Sequence, residues 1–320
     1  MRSERERWLT IGAFAVVYLV WGSTYFAIGL GIRSIPPMLM AGSRFLAAGC
    51  ILSLWGLARG AALPTAGQWA RAGLAGFLML VLGNGCVTWA VQYVPSSMAA
   101  LLVASEPMWL VLAAWTCFGG SRPGLRTSLG LASGLLGVGL LVAPQGGGFN
   151  AGALAGSLAI ILAAVAWAVG SLFLRTADLP SSPSLATGMQ MLSGGAVLTA
   201  LGLLRGEAAA LDLAAVSTTS ALAWVYLIVF GSMLGFSAYG YLITATSPAR
   251  LSTYAYVNPV VAVLLGGLVG RETITPTAWV AMLIILASVV LVTAEESEPS
   301  AGAEIAEAAA LAPEALGERA

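Results

Sequence analysis

The chain alternates long apolar runs with short polar gaps. Taking about 20 apolar residues as one crossing of a hydrocarbon core, ten runs qualify: Trp8 to Ile32, Pro36 to Ala58, Trp69 to Val91, Ser97 to Phe118, Leu125 to Ala143, Ala151 to Leu174, Ser184 to Leu204, Ser217 to Thr244, Leu251 to Gly270 and Thr275 to Thr293. By length each is a helix. The first run follows MRSERER directly. It is too long for a signal-peptide core and has no small-residue cleavage pattern after it, so it is expected to remain in the mature chain.

The runs also repeat. Trp21 and Trp167 are 146 positions apart, as are Gly42-Ser43-Arg44 and Gly188-Met189-Gln190. Trp89 and Tyr241 are 152 apart, as are Glu106-Pro107 and Asn258-Pro259, and Pro95 with Pro248 and Pro123 with Pro276 are 153 apart. Two halves of five helices follow, residues 8–143 and 151–293. Five is odd, so the halves enter the membrane from opposite sides. Inverted repeats with proline-interrupted helices at matching positions point to a secondary transporter whose site lies near the bilayer midplane.

Composition narrows the class. With 59% hydrophobic and 9% charged residues and a mean hydropathy of +0.91, this is an all-α integral membrane protein. If the N-terminus is cytoplasmic, nine loop arginines lie on that side (Arg2, Arg5, Arg7, Arg59, Arg71, Arg122, Arg126, Arg175, Arg250) against Arg33, Arg205 and Arg271 on the other. The positive-inside rule selects that orientation, and an even number of spans returns the C-terminus to the cytoplasm. Residues 294–320, rich in Ala and Glu, are expected to be a disordered tail. No basic patch offers nucleic acid a site. The chain has no histidine and no lysine, which excludes histidine triads, histidine metal sites, Schiff bases and a Walker phosphate loop. No metal or cofactor is expected, and Cys50, Cys86 and Cys117 read as buried small apolar residues.

Away from their ends, the apolar runs hold only two charges, Arg44 and Glu106. A charge at the centre of a membrane helix costs roughly 2.5 to 3.5 kcal/mol on an insertion scale. Arg44 comes eight residues after Pro36 and Glu106 nine after Ser97. At about 1.5 Å per residue the two share a level some 12 to 14 Å deep. They are expected to pair or to face the solute path. Their equivalents in the second half, Gln190 and Asn258, are uncharged. Pro107 and Pro259 are expected to kink their helices and free the carbonyls of Val103 and Ala255. Aromatic and amide residues complete the candidate cavity wall: Trp21, Tyr25, Asn84, Trp89, Trp109, Trp167, Tyr239, Tyr254, Tyr256 and Asn258. Gly130/Gly134, Gly152/Gly156, Gly231/Gly235 and Gly266/Gly270, each four apart, are expected to let helices approach closely.

WGSTYFAIG in the first run, MAGSRFLAAG in the second, SEPMWLVLAAW in the fourth and YVNPVVAVLLGGLVGRE in the ninth resemble EamA-type exporters of the drug/metabolite transporter superfamily, over Trp8 to Val292. The resemblance implies ten helices in two inverted EamA repeats, a central cavity formed mainly by helices 1, 3, 4, 6, 8 and 9, and export of small metabolites or toxic compounds from the cytoplasm. Members often carry Gly-Glu after the fourth helix as after the ninth. Here Arg271-Glu272 keeps the acid, while the equivalent first-half position is Gly120.

The function expected is a secondary or facilitative exporter in the cytoplasmic (inner) membrane, working by alternating access on an amino acid or another small amphipathic compound. Its partners are the solute, the bilayer and, if Glu106 carries a proton, protons. A monomer is compatible with the pattern, and oligomeric state is left open. A nucleotide-sugar or sugar-phosphate carrier would need cations in the cavity, where only Arg44 is available. A membrane enzyme or a receptor would not require inverted halves.

Overall fold

The computed structural model describes residues 4–120, 122–142, 150–246 and 253–295. Pro248, Arg250, the Tyr256 side chain and the expected tail beyond residue 295 lie outside the described residues.

Among the described residues every regular element is helical. Ten rods run in order: α1 (Glu4–Gly31), α2 (Pro37–Ala58), α3 (Ala66–Ala90), α4 (Ser96–Cys117), α5 (Leu125–Val142), α6 (Ala151–Thr176), α7 (Pro183–Leu204), α8 (Thr218–Leu242), α9 (Tyr254–Leu268) and α10 (Pro276–Glu295). Length and hydropathy suffice for a membrane crossing in seven of these rods, α1 to α4 and α6 to α8. The apolar stretches of α5, α9 and α10 are shorter, at Leu125–Leu141, Val257–Leu268 and Pro276–Leu291.

Three rods contain a widened turn. Val17–Trp21 in α1, Phe77–Gly85 in α3 and Leu227–Leu234 in α8 are π-helical, a geometry that recurs at functional sites. In α4 the helix breaks at Ala104 and Ser105, giving segments Ser96–Val103 and Glu106–Cys117. Pro107 was expected to kink a continuous helix. Instead it is the second residue of a new one, where a missing N–H costs little because first-turn donors have no partner in the helix. Pro259 does lie inside its helix, α9.

Helix starts fall into two kinds. α3, α6, α7 and α8 are capped by their own Thr65, Asn150, Ser182 and Ser217 side chains. α2 and α4 begin at Pro36 and Pro95, which offer no side-chain cap.

The tightest helix approach joins α2 to α7. A Cβ on Gly49 would meet Leu192 N at 2.8 Å and Gly188 O at 2.9 Å, and one on Gly195 would meet Leu46 N at 2.8 Å and Gly42 O at 3.0 Å. The pairing is antiparallel and reciprocal: Gly56 abuts Leu185 while Gly202 abuts Leu39, and Gly42 abuts Thr199 while Gly188 abuts Ser53. The seam therefore uses glycines seven apart, 42/49/56 and 188/195/202. The four-residue pairs singled out in the sequence do not form it, since two rods in long antiparallel contact meet once every two turns. α5 and α10 also run antiparallel, with Gly134 beside Ser288 and Gly137 beside Ile285.

The cysteines correct an expectation. Cys50 and Cys117 are exposed on the bundle surface and Cys86 is half-buried. An apolar residue on the outside of a bundle meets lipid as comfortably as a core does, so apolar character does not imply burial here.

Candidate functional site

The widened turns and the break in α4 surround one cavity of about 710 Å³, its open mouth included. Its wall comes from α1, α2, α3, α4, α6, α8 and α9. That is the set implied by the family resemblance with α2 added, because Arg44 and Phe45 face inward. Each π turn contributes wall: Trp21 from α1, Gly83 and Asn84 from α3, Gly231 and Ser232 from α8. The break in α4 places Glu106 in the first turn of a helix, at its partially positive end.

The two intramembrane charges share this wall but do not pair. Among the described residues the ion pair within 4.0 Å is Arg71–Asp178, on the surface. Arg44, 2% exposed, donates from Nη2 to Asn84 Oδ1 at 2.5 Å and lies 4.4 Å from the centroid of the Phe45 ring. Its Nε has no hydrogen-bond partner. Glu106, 5% exposed, accepts from the Tyr254 hydroxyl at 2.9 Å. The expected direct pair is therefore corrected. Each charge is held by a neutral partner from another helix, and the buried Arg44 Nε is left without one.

An aromatic cluster forms the adjoining wall. The Trp21 ring centroid lies 5.6 Å from that of Trp167, edge to face, 5.0 Å from Tyr239, 5.4 Å from Phe236 and 5.9 Å from Tyr254. Trp21 Nε1 donates to the Gly231 carbonyl at 3.2 Å. Gly235 is required beside it, because a Cβ there would fall on Trp21 Nε1. Asn258 locks the π turn that carries Trp21. With its amide nitrogen turned toward α1, it donates to Tyr18 O at 3.0 Å and Val17 O at 3.3 Å. A π turn displaces backbone carbonyls from their usual partners, and this side chain supplies replacements.

Trp21, Tyr25, Asn84, Glu106, Trp167, Asn258, Tyr254 and Arg44 all line the cavity. Tyr239 packs under Trp21, behind that wall. Trp89 instead lies beside Tyr93, 4.9 Å between centroids with the rings tilted 54°, and Trp109 turns back to donate to Ser105 Oγ at 3.0 Å. Neither lines the cavity, because helical periodicity fixes a spacing and not which face turns inward. Ser23 and Thr24 bond the carbonyls of Val20 and Trp21 in their own helix. Phe45, Ser232 and Phe236 are lining residues that sequence reasoning missed. Only Phe236 had any signal, since the offset of 152 that relates Trp89 to Tyr241 also makes it the counterpart of Asn84.

Membrane-length helices around a buried cavity of aromatic rings and two separated charges define a polytopic membrane protein of the transporter type. The sequence matches the EamA-like transporter family over residues 8–143 and again over 154–294, and the chain belongs to that family. It is 42% identical to "Uncharacterized inner membrane transporter YedA" of Escherichia coli K12, over 88% of this chain and 90% of that protein. It is 27% identical to "Protein PecM" of Dickeya dadantii, over 85% and 88%. A solved crystal structure at 23% identity superposes with a TM-score of 0.61, over 88% of this chain and 95% of that one, a likeness of fold.

Proposed function

We propose that the protein exports a small zwitterionic metabolite, an amino acid or a related amphipathic compound, across the cytoplasmic membrane by alternating access. The observation that carries this reading is the pair of unmatched charges facing one cavity. An unpaired buried charge is costly, and a zwitterion satisfies both: its carboxylate takes the free Nε of Arg44 and its ammonium takes the remaining capacity of Glu106. Trp21, Trp167 and Phe236 supply apolar surface for the rest of the solute. A phosphorylated solute is disfavoured because, among the described residues, Arg44 is the one cation in the cavity wall.

In this reading residues 8–143 and 151–293 are inverted five-helix repeats, with both termini cytoplasmic. Three features support it. The family matches the chain twice, α2 and α7 meet through a reciprocal antiparallel seam, and α3 and α8 both carry π segments. Arginine distribution supports the orientation.

The test is flux in sealed vesicles containing the purified protein, using an amino-acid panel with decarboxylated and deaminated analogues. Amino acids are expected to cross and both analogues to lose transport. Equal transport of a neutral apolar compound and of every analogue would overturn the zwitterion assignment. For coupling, Glu106→Gln discriminates: a rate equal to wild type and independent of pH would exclude Glu106 as the carrier of a coupled proton.

A further inference from the structure

The helices that carry the two intramembrane charges both begin at a proline, which has no side-chain group to cap them. α2 and α4 start at Pro36 and Pro95 without a side-chain cap. Each receives a carboxylate from the other half of the chain. Glu207 Oε2 accepts from Leu39 N, in the first turn of α2, at 2.9 Å. Glu272 spans the first turn of α4: Oε1 accepts from Ser96 N at 3.1 Å and from Ser96 Oγ at 2.6 Å, and Oε2 accepts from Ser97 N at 3.0 Å. A carboxylate at a helix N-terminus satisfies orphan donors and opposes the positive end of the helix dipole.

The two acids are delivered in the same way. Each directly follows a residue in the left-handed backbone region at the end of its helix, Gly206 (φ 77°) after α7 and Arg271 (φ 54°) after α9. Each is admitted by a glycine, since a Cβ on Gly202 would meet Glu207 Oε2 at 3.2 Å and one on Gly266 would meet Glu272 Oε2 at 2.6 Å. The first half keeps the left-handed turns, at Gly60 (φ 86°) and Gly119 (φ 71°), at offsets of 146 and 152 from their counterparts. The residues that follow are Ala61 and Gly120. Among the described residues the turn occurs four times and the acid twice, both times in the second half. On the opposite face α7 starts on its own Ser182.

We propose that Glu207 and Glu272 are positioning residues that tie α2 and α4, and with them Arg44 and Glu106, to the second half on one face only, so that they set how readily that face opens. The proposal rests on the alternating-access reading above.

The test measures access to the cavity from each face separately. In full-length protein with Cys50, Cys86 and Cys117 replaced by alanine, Thr24→Cys places a thiol on the cavity wall. A membrane-impermeant maleimide is applied to each side of sealed vesicles in turn. In the Glu207→Gln/Glu272→Gln double variant, labelling from the side of Pro36 and Pro95 is expected to rise roughly tenfold, the scale of losing charge-assisted bonds on both helices. Labelling from the other side is expected to stay level or fall. The single variants give intermediate rises. Unchanged labelling overturns the proposal, and so does an equal rise from both sides, which is what a merely structural cap would give on loosening. Labelling needs no substrate, so this failure is distinguishable from absence of flux, which would overturn the transport reading itself.

Discussion

Replacing Gly49 by alanine tests the seam between α2 and α7. A Cβ at Gly49 would lie 2.8 Å from Leu192 N and 2.9 Å from Gly188 O, whereas ordinary contacts between carbon atoms fall at about 3.5 to 4.0 Å. Backbone atoms on both sides cannot rotate away as a side chain would, so the helices must part. Overpacking of this kind costs about 1 to 3 kcal/mol. Against it stands the gain of roughly 0.5 to 1 kcal/mol for replacing glycine with alanine inside a helix. The net expectation for Gly49→Ala is a loss of about 0 to 2.5 kcal/mol, centred near 1. Gly139, in α5, is the control, because a Cβ there meets nothing within 4 Å. Gly139→Ala should gain the full helix-propensity term of about 0.5 to 1 kcal/mol. The assay is unfolding in mixed micelles by titration with a denaturing detergent, followed by tryptophan fluorescence. Gly188→Ala, at the reciprocal position, should behave as Gly49→Ala does. If Gly49→Ala and Gly139→Ala shift the midpoint in the same direction by the same amount, the backbone-to-backbone approach is refuted.

Asn258→Asp replaces two amide donors with acceptors facing the carbonyls of Tyr18 and Val17. It should lower solute affinity more than Asn258→Ala does, each lost bond counting about 1 kcal/mol or more, as read from flux against solute concentration. Trp21→Phe keeps the ring contacts but loses the bond from Nε1 to Gly231 O. It should cost about 0.5 to 1.5 kcal/mol of stability and raise the half-saturation concentration less than Trp21→Ala. Burial would raise the Glu272 pKa, but the bonds from Ser96 and Ser97 outweigh it and hold it below the ordinary value. Its contribution to stability is therefore complete above the unfolded pKa of about 4.3 and is lost as pH falls through the lower folded value. Acid unfolding of wild type and Glu272→Gln should converge across that window, and parallel curves would contradict the assignment.

The positions of the helices were legible because lipid demands long apolar runs, and nothing else in the chain competes with that signal. That Arg44 and Glu106 border one cavity was also legible, since helical rise gives the two residues similar distances from the starts of their runs. Their partners were not. Asn84 and Tyr254 come from other helices, and no spacing along the chain says that an arginine will take an amide as its partner and leave the carboxylate to a tyrosine. The π turns at Val17–Trp21, Phe77–Gly85 and Leu227–Leu234 left no trace, because an extra residue in a turn does not alter an apolar run. Trp89 and Trp109 were assigned to the cavity for the same underlying reason: in a helix apolar all round, composition cannot tell the face toward solute from the face toward protein.

The glycine seam also decides which parts of the molecule travel. Where two rods touch main chain to main chain, with short side chains such as Thr199 and Ser53 seated against the glycines, the contact serves as a fulcrum when the halves rock as proposed, and Gly49 is the middle of the three glycines on α2. Arg44 lies five residues from Gly49, about 7.5 Å of helical rise. Ala58 stands nine residues from it, about 13.5 Å along the same axis. A tilt about that point carries Arg44 through an arc roughly half as long as that of the far end of α2. The guanidinium then travels less than the rims as they exchange places.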